Sequence, residues 1–238
     1  MSEPATIASP APAAGTDADL LAAWLRMKSE VLSGLNHALS NRATAIVALV
    51  GVLEPGEAPG GELLDALRLE SRRLNGLLRL FRRIPQSSAK AQPVRLSELV
   101  PQVVALHEHY SAARNVPCEL ADGVPDALPV LAVEQRLTHA LLALLSAAKE
   151  RVAAGQGSRV RLSWTGDERA LTIAVEVVGE GGASVGTAAL TPATTVDVAR
   201  LAEWLLGDAE STTLERAGGV GYELRMPTLL ELKQEGKR

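Results

Sequence analysis

The side chains able to do chemistry in this 238-residue chain are few, and the histidines number four. The first, His37, stands in "LSGLNHALSNRATAI" (32–46), with Asn41 one helical turn further on. It is either a reactive imidazole or a helix-surface residue, and its own segment does not decide between them. His107 and His109, in "HEHY", suggest a metal pair, but two residues apart on a helix they face different sides, so the pattern predicts surface residues and no shared site. His139 lies in an apolar helix and reads as a partly buried, hydrogen-bonded histidine. The single cysteine, Cys118, has no basic neighbour in sequence and reads as a small hydrophobe; alone it gives no disulfide framework and no cysteine-based metal site. "GEGGASVG" (179–186) lacks the Lys and Ser/Thr of a phosphate-binding P-loop and reads as a flexible loop.

The elements that position these residues follow from apolar spacing. From Asp17 a helix runs with Leu21, Leu25, Leu32, Leu35, Leu39, Ile46, Leu49 and Leu53 in a four–three alternation, Lys28 and Arg42 filling the gaps. "EPGEAPGG" (54–61) breaks it with two Pro and three Gly. A second seam follows at Leu63, Leu67, Glu70, Leu74, Leu77, Phe81 and Ile84. Two long helices and a short turn make an antiparallel hairpin. Leu64, Leu78 and Leu80 widen the second stripe, and pairing two hairpins into a dimeric four-helix bundle would cover it. With Leu32 at a and Leu35 at d, His37 takes f and Asn41 takes c, so both sit on the outer face. The second helix carries Arg68, Arg72, Arg73, Arg79, Arg82 and Arg83 against Glu62, Asp65 and Glu70, a basic side suited either to solubility or to an acidic protein partner.

"PQSSAKAQP" (85–93) reads as a linker. Beyond it come a helix with Ser97 as N-cap and Pro101 near its first turn, a short strand "VPCEL", an apolar helix closed by Gly155, a hairpin around "TGDE", another helix, and a last strand "GVGYELRMP". This order gives an α+β class: a helical hairpin, then an α/β sandwich with helices on one face of a mixed sheet. The expected organisation is a disordered N-terminus over 1–16, the hairpin over 17–85, a linker over 86–93, the α/β layer over 94–227 and a charged tail over 228–238.

Composition narrows the function. Apolar residues make up 47% of the chain while aromatics are only 3%, so the core must be Leu, Val and Ala. A net charge of −4 gives no reason to expect nucleic acid. No apolar run approaches a membrane span, and "MSEPATIASPAPAAG" lacks the marks of a signal peptide, which reads as a cytoplasmic protein with no membrane partner.

Along residues 20–227 the chain resembles a sensor histidine kinase core. "NHALSNRATAI" is similar to the phosphoacceptor box of that family through His37, Leu39, Asn41 and Ile46; "QRLTHALLALLSAAKE" to its metal-binding helix; "LTIAVEVVGEGG" to the strand and glycine box under adenine; "GGVGYELRMP" to the closing strand. The resemblance implies a dimeric hairpin carrying a phosphorylated histidine, His37, supported by Asn41, followed by an ATPase-type α/β domain. The departures are as specific. The acid that follows the histidine is Ala38. The Mg²⁺-holding Asn falls at Ala147, with an earlier polar position at Ala143. The Asp that reads adenine falls at Val177; only Gly179 and Gly181 persist. "ALTPATTVDVAR" lacks the glycine-rich lid. Phosphoryl transfer rests on metal electrostatics and positioning, so the sequence predicts no ATP or metal cofactor and no autokinase activity. Two functions remain: histidine phosphotransfer to or from the receiver domain of a response regulator, or a non-catalytic pseudokinase module that docks a kinase or regulator.

Overall fold

The computed structural model describes residues 16–53, 60–84, 90–110, 115–121, 129–181, 197–207, 213–217 and 221–235. The expected disordered N-terminus and the lid segment before residue 197 lie outside them, Thr16 excepted.

Helix α1 (Asp17–Gly51) starts at a capping box: Thr16 caps the Asp19 N–H, and the Asp19 carboxylate accepts from the Thr16 backbone at 2.8 Å. Its 35 residues span about 52 Å at 1.5 Å each. Helix α2 (Gly61–Arg83) has only 23 residues and packs against α1 to close the hairpin. Two of the three polar interruptions of the seams, Arg42 and Glu70, meet here. Arg42 donates to Glu70 across the hairpin at 3.1 Å, and Arg73 donates to the same carboxylate at 2.6 Å. Those hydrogen bonds, Arg42's first, hold the Glu70 carboxyl below its usual range. A polar pair at an apolar seam fixes register, since slipping either helix strands a charge.

A shorter α2 leaves the start of α1 without a helical partner, and the α/β layer takes that place. The buried stripe there is Leu20, Trp24, Met27, Val31 and Leu35, while Leu21 and Leu25 of the expected seam are 44% and 52% exposed in the single chain. Each buried side chain is worth about 1.5–3 kcal/mol against leaving it wet. The largest apolar groups of this stretch, Trp24 and Met27, lie on the stripe and not on the seam, and burial follows them.

The layer begins with β1 (Gln92–Val94), whose first two residues fall in the expected linker, and β1 pairs antiparallel with β3 (Val130–Ala132). Helix α3 (Leu96–His107) starts from Arg95, so Ser97 lies inside it and caps nothing; Pro101 sits mid-helix. Strand β2 (Cys118–Leu120) runs parallel to β4 (Arg159–Gly166); β5 (Ala170–Val178), β6 (Thr213–Ala217) and β7 (Gly221–Pro227) complete an otherwise antiparallel five-stranded sheet in the order β2-β4-β5-β7-β6. Val160 and Leu162, then Leu171, Ile173, Val175 and Val177, then Tyr222, Leu224 and Met226 form its buried face. Helix α4 (Glu134–Ala153) crosses that face and is buried continuously from Leu137 to Lys149, because α1, α3 and α5 (Val198–Leu206) pack on its other sides. Gly155, at φ 81°, ends α4 as its position predicted. The charged tail forms α6 (Leu229–Glu235). Among the described residues no helix is long and apolar enough to cross a membrane.

Candidate functional site

The site is built where α1 touches the α/β layer. Gly34 is buried on α1 against the C-terminal end of α3, so close that a Cβ built there would overlap the His109 carbonyl oxygen. Only glycine permits this approach. It sets the next turn of α1, which carries His37, Ala38, Asn41 and Arg42, beside the layer. A cleft of about 560 Å³ opens between them, its layer side formed by Glu108, His109, Val116, Pro117, Cys118 and Lys149.

His37 is exposed, as its outer heptad position predicted, yet it faces this cleft and not open solvent alone. Asn41, also exposed, lies four residues on, with its Nδ2 3.2 Å from His37 Nε2. An amide N–H donating there leaves the lone pair on Nε2 and the proton on Nδ1, the tautomer in which Nε2 is the nucleophile. Ala38 lines the cleft from the place where an acid would stand. The cleft carboxylate among the described residues comes instead from Glu108, one residue past α3.

Three groups in or behind this cleft were not legible as site residues. Lys149 is 2% exposed, and burial lowers its ammonium below the ordinary lysine range. A signal did exist: Lys149 continues the stripe of Leu142 and Leu145 at helical spacing, so a charge on that stripe had to be buried. Burial likewise pushes the Cys118 thiol up to about 11, which makes it a poor nucleophile at neutral pH. Nothing local in sequence marked Glu108.

His107 and His139 are structural. His107 was read as a surface residue but is fully buried, its Nε2 2.8 Å from Ser146 Oγ, whose hydroxyl in turn lies 3.1 Å from Met27 Sδ. Helix α1 covers the face that α3 alone would leave wet. His109 is half-buried and lines the cleft while His107 is enclosed in the core, so the two do not share a site. His139, 8% exposed, bonds the Ile84 backbone and lies against Trp24 with ring centroids 4.1 Å apart; its Nε2 has no hydrogen-bond partner among the described residues. Burial takes His107 down to about 3 and His139 down to about 4. No three His, Cys, Asp or Glu side chains gather as a metal set among the described residues.

The positions aligned with nucleotide and metal contacts are core. Ala143, Ala147 and Val177 are 3%, 7% and 1% exposed. None has a side-chain donor or acceptor to offer adenine or a cation. Gly181, at φ 87°, makes a turn after β5.

No protein-family model matches the chain, and no curated protein does. Solved structures do. The chain is similar to the histidine kinase ThkA crystallised in complex with the response regulator protein TrrA, at 18% identity and a TM-score of 0.43 over 89% of this chain and 67% of that one. It is similar to the Acinetobacter baumannii histidine kinase AdeS, at 16% identity and a TM-score of 0.36 over 82% and 94% of the two chains. A structure described as a bacterial phosphotransferase covers 90% of this chain and 98% of its own, at 14% identity and a TM-score of 0.35. At these identities and overlaps, the chemistry of His37 rests on this chain's own residues.

Proposed function

We propose that the protein is a two-component signalling protein that carries a phosphoryl group on His37 Nε2, exchanged with the aspartyl phosphate of a response regulator receiver domain, on a kinase-like scaffold that no longer uses ATP. The observation that carries this reading is the His37–Asn41 pair on an exposed helix face, with Asn41 Nδ2 3.2 Å from His37 Nε2. In the transfer the Nε2–P bond forms as the aspartyl O–P bond breaks, and the aspartate leaves as a carboxylate. The receiver brings the acid cluster and its cation, so this chain needs only an accessible imidazole held in one orientation. The proposed assembly is a homodimer through the two hairpins, which would cover Leu64 and Leu69, 36% and 46% exposed in the single chain.

Ala38 and the apolar pocket positions favour a second reading: a pseudokinase that docks a kinase or regulator and performs no chemistry. The two part in one experiment. The chain is offered labelled phosphate from Mg·ATP and, separately, from an acetyl-phosphate-charged receiver. The phosphotransfer reading predicts label from the receiver and none from ATP. Binding of the receiver with no label from either donor leaves the docking module. Label from ATP, or a Kd for Mg·ATP below roughly 100 µM, about −5.5 kcal/mol, contradicts both.

A further inference from the structure

Lys149 stands where a cation is costly to keep. It is 2% exposed on α4, and among the described residues no carboxylate makes an ion pair with it. Glu108 and the Cys118 thiol act on it through space, while burial works against its charge. An ammonium so largely withdrawn from water without a paired anion is unfavourable, and on the wall of a cleft it offers a counter-charge to an arriving anion. The cleft's other fixed cation, Arg42, is already engaged by Glu70. Ala38 adds no carboxylate, so Glu108 alone brings negative charge to this cleft among the described residues. We propose that the cleft is an anion site, with Lys149 as its anchor, and that the anion it holds is the phosphoryl group on His37.

The inference rests on the phosphotransfer reading for the identity of the anion, but not for the existence of the site. A phosphoryl dianion on His37 would lie in the cleft that Lys149 lines, and charge-assisted hydrogen bonds from a desolvated ammonium are the strong kind. The arrangement also gives the missing acid at residue 38 a consequence: a carboxylate there would stand beside the dianion and repel it.

The full-length protein is titrated with inorganic phosphate by calorimetry, as wild type, Lys149→Met and Arg79→Gln, the last an exposed control on α2. Replacing a buried charge with an apolar chain of similar length is commonly tolerated, and circular dichroism reports whether Lys149→Met folds. Independently of any variant, the Lys149 Cε resonance of wild type is followed through the same titration. The anchor predicts a shifted Cε resonance, at least tenfold weaker phosphate binding in Lys149→Met, unchanged binding in Arg79→Gln, and at least tenfold faster loss of label from His37 in Lys149→Met. An unmoved resonance, equal phosphate affinity in wild type and Lys149→Met, or an equal lifetime of label overturns it. The two readings fail separately. Wild type that takes label from the receiver while Lys149→Met binds phosphate equally well loses the anchor and keeps the transfer. Wild type that never takes label, yet loses phosphate binding on Lys149→Met, loses the transfer and keeps the anion site.

Discussion

Asn41 Nδ2 sits 3.2 Å from His37 Nε2, one turn along an exposed stretch of α1. In the proposed transfer this contact would orient the ring and be released as Nε2 takes the phosphoryl group, which would make Asn41 a positioning residue. Asn41→Ala removes one neutral hydrogen bond, worth about 0.5–1.5 kcal/mol. Transfer from a charged receiver should slow from a few-fold to roughly tenfold, with receiver binding and thermal stability unchanged. Loss of receiver binding in this variant would show that Asn41 belongs to a docking surface instead.

Gly34 controls whether the cleft exists. Helix propensity alone favours Gly34→Ala by about 1 kcal/mol. The overlap of a Cβ with the His109 carbonyl works the other way, and overpacking against backbone costs about 1–3 kcal/mol. The account predicts that Gly34→Ala lowers the urea midpoint, while the same change at Gly76, which has open space around it, raises it. A stabilised Gly34→Ala would mean that α1 does not rest on α3.

Acid should undock α1 before carboxylate titration dominates. Burial, with Lys149 nearby, takes His107 to about 3, and burial, with Lys28 nearby, takes His139 to about 4, against an ordinary value of 6.5. Between pH 6.5 and 4 the unfolded chain binds protons at both rings and the native chain does not. Stability is therefore full above pH 6.5 and falls as pH drops toward 4, by about 1.4 kcal/mol per pH unit for each ring. Urea titrations at several pH values measure the slope, and His139→Gln should flatten it by about one ring's share. An unchanged slope would mean that His139 is protonated in the native protein.

How much of this was open to inspection in the sequence depended on the range of the forces involved. Heptad spacing is local and marks both helices of the hairpin, although at the start of α1 the stripe of Trp24 and Met27 is buried in place of Leu21 and Leu25. The start of α1 at Asp17 and the glycine end of α4 were similarly legible, since each is a property of a few adjacent residues. Strands of three residues such as β1 and β3 are held by pairing with each other across the 35 intervening positions 95–129, and no local signal marks them. His107 was misplaced for the same reason: its helix face looks polar in isolation and becomes interior when α1 arrives. His37 and Asn41 became candidates through the resemblance of their segment to a phosphoacceptor box, and one helical turn relates them. Glu108 and Lys149 join them only through docking.

The exposed apolar residues of the hairpin carry the prediction of a dimer. Light scattering at micromolar concentration should give twice the monomer mass. Leu74→Glu, which places a carboxylate in the seam, should reduce it to the monomer, because the unpaired charge would be buried on association. A monomeric wild type removes the four-helix bundle.

The most direct test of the central claim is the site of the label. Wild type and His37→Ala are incubated with a receiver charged by labelled acetyl phosphate, and the acid-labile, base-stable label is mapped by mass spectrometry. The account predicts label on His37 in wild type and none in His37→Ala, with receiver binding retained and stability altered by less than about 0.5 kcal/mol, as for an exposed side chain. Equal label on His37→Ala, or a wild type that binds the receiver and never acquires label, would contradict it.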